Sequence, residues 1–201
     1  MKVVVITGGI GSGKSMACDY LRKQYGWPVY EADVRVKELY ESHPTLLCEI
    51  ESVLGVNLRT SEGHFNPQAL SAIIFQDSDA LFKVEDLVFP VLLNDFESWK
   101  TEHSDKGFVI LESATILEKP QLEGVGDFIL LIDAPVDMRL MRATSRDGVA
   151  EDKIKQRMAK QIMMNAISSG SIPAPADLVI LNNAAVDKLY EKLDKFVNSV
   201  Y

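Results

Sequence analysis

Gly8-Gly9-Ile10-Gly11-Ser12-Gly13-Lys14-Ser15 follows directly on the apolar run Val3-Val4-Val5-Ile6 and opens a stretch, residues 15–24, with neither glycine nor proline. The eight residues have the GxxxxGK[S/T] spacing of a cradle for the phosphates of a nucleoside triphosphate. Glycines let the backbone curl around a pyrophosphate with its N–H groups pointing inward, and the start of the next helix adds partial positive charge. Lys14 then reaches the β- and γ-phosphates, and the Ser15 hydroxyl ligates Mg²⁺ together with phosphate oxygens. The apolar run predicts the strand before the cradle. Met16, Tyr20 and Leu21 at helical spacing predict the helix after it, a context that a mere glycine-rich turn with an exposed lysine lacks.

Around this motif, 201 residues with 47% hydrophobic content predict one domain, or one domain with a lobe, large enough for a buried core. No 18-residue apolar stretch occurs and no charged leader precedes an apolar segment, so neither a membrane span nor a signal peptide is expected, and the expected location is cytoplasmic. Cys18 and Cys48 lack metal-ligand spacing, and His43, His64 and His103 stand apart from them and from one another. Neither a disulfide nor a structural zinc is expected.

The net charge of −8 argues against a broad nucleic-acid surface. Positive charge is instead concentrated: residues 139–160 hold Arg139, Arg142, Arg146, Lys153, Lys155, Arg157 and Lys160 against only Asp147, Glu151 and Asp152. Such a cluster in an acidic chain suggests contact with a polyanion, although a charge run is often only a solvated face. Arg142 and Arg146, four apart, share a face if the segment is helical.

Short, nearly continuous apolar runs at residues 3–6, 29–30, 108–111, 128–133 and 178–181 predict five strands of a parallel sheet covered on both faces. Helical patterns lie between and after them. In the last, residues 186–200, Val186, Leu189, Tyr190, Leu193, Phe196, Val197 and Val200 form one stripe. The fold class is therefore three-layer α/β. Residues 168–176, SSGSIPAPA, read as the connection into the final strand. Residues 34–107 are too long for a simple crossover and predict an inserted helical lobe that grips an acceptor. Within it Asn66 reads as an N-cap with Pro67 at the first helical position, and Pro90 as the opening of a helical run over 91–100.

Two acids follow. Asp33 reads as the end of the second strand, at the sheet edge that carries the cradle, where a general base accepts the proton of an attacking hydroxyl. Glu112 ends the third run and reads as a ligand of Mg²⁺ or of its water.

In this order the residues resemble the dephospho-coenzyme A kinase family. The resemblance is carried by residues 7–15, Glu31-Ala32-Asp33, residues 112–118 (ESATILE), Arg142 with Arg146-Asp147-Gly148, Arg157 and Gln161, and Ala176-Asp177-Leu178-Val179-Ile180 before Asn182-Asn183. Gly63, Asn66, Leu70, Phe75 and Pro90 fall at the family's lobe motifs. The resemblance implies a P-loop kinase fold, residues 1–201 forming a single kinase domain with the inserted lobe at 34–107 and a helical lid at 137–170. It implies transfer of the γ-phosphoryl group of ATP to the ribose 3′-hydroxyl of dephospho-coenzyme A, with Mg²⁺. Asp33 is then the base, and Lys14, Arg142 and Arg146 stabilise the transferring group. Gly9, Gly11, Ser12, Gly13, Lys14, Ser15 and Met16 bind ATP, with Asn182 and Asn183 near the adenine. Ser15 and Glu112 are the expected metal ligands. The expected partners are ATP and dephospho-coenzyme A, with no nucleic acid or membrane, in a monomer or weak homo-oligomer.

The chain departs from the family pattern at Glu31, Met16, Ala114 and Phe89, the last replacing a histidine of the lobe. Two other readings share the cradle. Another small-molecule or nucleoside monophosphate kinase would not predict residues 112–118 together with the ADLVI ending. A nucleotide-dependent regulator of the GTP-switch type would need an NKxD motif, which the sequence lacks.

Overall fold

The computed structural model describes residues 1–201, apart from the side chain of Pro44. The order of elements is β1 (Lys2–Thr7), α1 (Lys14–Tyr25), β2 (Val29–Glu31), α2 (Ala32–Ser42), α3 (Pro44–Leu54), α4 (Pro67–Ile74), α5 (Ser78–Glu102), β3 (Phe108–Glu112), β4 (Phe128–Asp133), α6 (Val136–Asp147), α7 (Glu151–Ala159), α8 (Ile162–Ser168), β5 (Leu178–Leu181) and α9 (Val186–Val200). Two short 3-10 turns, Ile116–Glu118 and Pro120–Leu122, lie between β3 and β4. The chain forms two compact units, Met1–Glu31 with His103–Tyr201, and Ala32–Glu102.

The first unit is built on the parallel sheet β2-β3-β1-β4-β5. Side chains alternate across a strand, so a strand covered on both faces must be apolar at every position. Val4, Ile6, Ile110, Leu130, Ile132 and Ile180 pack on one face with Ala17, Cys18 and Leu21 of α1 and Leu189, Leu193, Phe196 and Val197 of α9. Val3, Val5, Val109 and Leu131 are buried as well. This is the three-layer α/β architecture of a P-loop kinase, as the alternation of runs predicts.

One detail of α1 differs from expectation. Met16 is 45% exposed, and the stripe that enters the core is Ala17, Cys18 and Leu21. At 100° per residue, positions 17, 18 and 21 share a face that position 16 leaves.

The second unit is helical. α5 packs against α2, α3 and α4 and buries Ala80, Val84, Val88, Phe89, Leu92 and Phe96. Asn66 caps α4 as the sequence predicts, its side chain accepting from Ala69 N at 3.1 Å, with Pro67 next. Arg35 clamps Asp95 with two hydrogen bonds, 2.7 and 3.0 Å, and so joins α2 to α5.

Two expectations about this unit are corrected. Pro90 does not open a helix; it lies inside the 25-residue α5. Proline removes the bond to the carbonyl four residues earlier and crowds it. Here Pro90 and Asp86 are both on the exposed side, while the stripe from Val84 to Phe96 is buried continuously on the other. Asp33 does not end β2, which stops at Glu31; it sits in the first turn of α2. α2 starts at Ala32, which is buried, and a carboxylate in a first helical turn is favoured by the helix dipole.

Candidate active site

All of the phosphate-loop geometry lies in the first unit. β1 delivers the chain to Gly8, and α1 begins at Lys14 after Gly13, a left-handed cap with φ 106° that contributes no side-chain cap. The amides at that helix start are thus not engaged by a capping side chain. Gly11, with φ 76°, is also left-handed, and a β-carbon there would run into the carbonyl oxygen of Arg139. Only glycine meets both demands.

The loop is held from outside by three distant side chains. Gln161 Oε1 accepts from Ile10 N at 2.8 Å. Arg139 Nε donates to Ile10 O at 3.1 Å. Asn182 Nδ2 donates to Ser12 O at 2.8 Å, a buried bond across 170 residues. Arg139 is fully buried, and its Nη1 reaches Ser168 Oγ at 3.3 Å and lies 3.6 Å from Asp133 Oδ1. Burial pushes the pKa of this guanidinium down and Asp133 opposes the shift.

Lys14 folds back onto the loop, its Nζ donating to Gly8 O at 2.9 Å and lying 3.9 Å from Glu112 Oε1. β3 positions Glu112 by register, opposite Ile6 on one side and Glu31 on the other. Ser12 is fully buried, while Ser15 and Met16 are exposed at the start of α1. Thr7 Oγ1 and Ser12 Oγ are buried without a hydrogen-bond partner among the described residues.

Arg142 and Arg146 both fall on α6. Arg142 Nη1 donates to Asn182 O at 3.1 Å, which ties the helix to the turn after β5. Arg146 Nε donates to Asp147 Oδ1 at 2.7 Å, and Arg157 Nη1 to Asp147 Oδ2 at 2.8 Å. Asp147 raises the pKa of Arg146, with a smaller contribution from Glu112; Arg146 and Arg157 in turn hold the Asp147 carboxyl below the usual carboxylate range. Lys155 pairs instead with Glu151 on α7, at 2.6 Å.

The structure therefore brings Gly9, Gly11, Ser12, Gly13, Lys14, Ser15, Glu112, Arg142 and Asn182 to the carboxyl end of one sheet. Asn183 follows in the turn after β5 and is exposed. Asp33 belongs to the helical unit. Arg139 as a loop support is invisible in the sequence, where it reads as one more member of a basic run. Arginine is so rarely fully buried that a basic residue in a charged run is read as solvent-facing.

The family model for dephospho-CoA kinase matches residues 2–188. A dephospho-CoA kinase of Porphyromonas gingivalis is 33% identical over 182 residues, covering 90% of this chain and 86% of that protein. One of Fusobacterium nucleatum is 28% identical over 198 residues, 98% of each chain. A solved Thermus thermophilus structure has the same fold, with a TM-score of 0.81 at 24% identity over 100% of this chain and 98% of its own. With a loop of this geometry and matches spanning nearly its full length, the chain belongs to the dephospho-CoA kinase family.

Proposed function

We propose that the protein transfers the γ-phosphoryl group of ATP to the ribose 3′-hydroxyl of dephospho-coenzyme A, giving coenzyme A and ADP. The observation that carries this reading is the curled loop whose Lys14 ammonium rests on Gly8 O, 2.9 Å away, in a chain of this family. A carbonyl oxygen holding the ammonium is a stand-in for a phosphate oxygen, which exchanges for it with a stronger, charge-assisted bond. The buried, unpartnered Ser12 hydroxyl inside the same loop also suits a polar ligand.

In this reading the attacking 3′-oxygen forms a bond to the γ-phosphorus as the bond to the ADP oxygen breaks. The hydroxyl proton passes to Asp33, assigned on its match to the family's acidic motif. Lys14, Arg142 and Arg146 meet the charge that develops on the transferring group, an effect worth roughly 10³-fold in rate. Gly9 and Gly11 through Met16 hold the phosphates, and the turn at Asn182 and Asn183 borders the adenine.

Mg²⁺ prefers oxygen donors and keeps substrate phosphates and water among its ligands, so it needs few protein groups. The Ser15 hydroxyl and Glu112 carboxylate are such a set. Bound there, the ion would neutralise phosphate charge.

ADP release measured with and without dephospho-coenzyme A, with mass spectrometry of the product, tests the reading. Acceptor-dependent ADP formation with phosphate on the 3′-oxygen is expected; acceptor-independent hydrolysis, or phosphorylation elsewhere, overturns it.

A further inference from the structure

We propose that Arg139 is a positioning residue for ATP binding, which sets the shape of the phosphate loop from behind through the Ile10 peptide; this rests on the reading that the loop binds ATP. Ile10 is near the tip of the loop, and both polar ends of its residue are fixed by side chains from the helical segments after β4. Its N–H is held by Gln161 at 2.8 Å and its carbonyl by Arg139 Nε at 3.1 Å. Two glycines of the loop lie directly on Arg139. A β-carbon at Gly9 would strike the guanidinium, and one at Gly11 the Arg139 carbonyl.

The fork is used on its far side as well. Nη1 donates to Ser168 Oγ at 3.3 Å, and that hydroxyl lies 3.2 Å from each carboxylate oxygen of Asp133. Nη2 is buried without a hydrogen-bond partner among the described residues. A fully buried guanidinium that leaves one nitrogen unsatisfied is a poor way to fill space, since an apolar side chain of that volume avoids the desolvation. What the charge and the planar fork add is a fixed distance between α6 and the loop carbonyl. Arg142 and Arg146 ride on the same helix, so Arg139 also sets the register between those arginines and the loop.

The test separates loop positioning from simple charge balance. Arg139→Met, Arg139→Lys, Asp133→Asn and the double Arg139→Met/Asp133→Asn variant are compared in the full chain. Thermal unfolding, the Kd for ATP by calorimetry without acceptor, and steady-state kinetics are measured for each. Removing Arg139 is expected to raise the Kd for ATP about 10-fold or more, because Ile10 O loses a charge-assisted bond that fixes the loop. Arg139→Lys should retain most of the thermal stability yet not restore the Kd, since one ammonium nitrogen cannot stand at both the Nε and Nη1 positions from which Ile10 O and Ser168 Oγ are reached. The double variant should regain stability lost by Arg139→Met while its Kd stays high.

If the double variant regains both the Tm and the Kd of the parent, or if Arg139→Lys binds ATP within about twofold of it, the positioning role is wrong. Should Arg139→Met fail to fold, the Arg139→Lys comparison decides alone. A parent protein that binds ATP but does not phosphorylate dephospho-coenzyme A would sink the proposed reaction and leave this test intact.

Discussion

Asn182 donates its side-chain amide to the carbonyl oxygen of Ser12 at 2.8 Å, so the turn after the edge strand β5 props the phosphate loop after β1. The bond is buried, and a β-carbon on Gly13 would collide with the same amide. Asn182→Ala leaves the Ser12 carbonyl unsatisfied in a dry site, at about 1–3 kcal/mol. The expected result is a lower Tm together with weaker ATP binding, read by thermal unfolding and calorimetry. Loss of stability with unchanged ATP affinity would make the bond purely structural.

Lys14→Ala is expected to abolish phosphoryl transfer while leaving the Tm nearly unchanged. The ammonium donates to the loop carbonyl of Gly8 at 2.9 Å and faces Glu112 at 3.9 Å, so its role is toward the phosphates rather than toward the apolar core. Acceptor-dependent turnover near the parent's would remove the loop from the mechanism.

Asp33→Asn is expected to reduce kcat at least about 10²-fold with the Kd for ATP nearly unchanged, because a base matters when the hydroxyl proton leaves. Single-turnover kinetics and ATP calorimetry are the paired measurements. An equal loss of ATP affinity would instead make Asp33 a metal ligand.

For the basic segment, Arg142→Ala and Arg146→Ala should depress kcat more than ATP binding, and lysine should rescue either poorly. Lys153→Ala and Lys155→Ala should each change stability and activation free energy by less than about 0.5 kcal/mol, the second because its partner Glu151 is a neighbour on an exposed helix face. Equal behaviour of all four variants would reduce the cluster to a general electrostatic surface.

A pH-dependent contribution to stability is expected between α1 and α9. Asp194 Oδ1 accepts from the hydroxyls of Tyr20 and Tyr25 at 2.7 Å each, and this hydrogen bonding is the main cause that raises both phenols to about 12. The protonated phenols are favoured in the folded state. Their contribution is therefore full below the ordinary phenol value of about 10 and is lost as pH rises through about 12. The Tm difference between the parent and Asp194→Asn should be largest below pH about 10 and shrink toward pH about 12. Phenolate absorbance should show two tyrosines titrating earlier in the variant. A Tm difference independent of pH across that interval would rule out this linkage.

The sequence by itself determined the elements whose signals are local. The glycines and Lys14 of the loop, the five apolar runs, the Asn66-Pro67 start of α4 and the stripe of α9 all depend on neighbours within a few residues, where sterics, capping and periodicity act. Tertiary structure decided what depends on distant partners. Pro90 reads as a boundary until packing on the buried side of α5 outweighs one lost hydrogen bond. Asp33 reads as strand, but β2 ends at Glu31 and the chain turns into α2 at the buried Ala32, which places Asp33 in a first helical turn. Arg139, Gln161 and Asn182 reach the loop from 129, 151 and 170 residues away in the chain. No local pattern marks such residues, because each is chosen by the single carbonyl, amide or glycine it meets only after the sheet has formed.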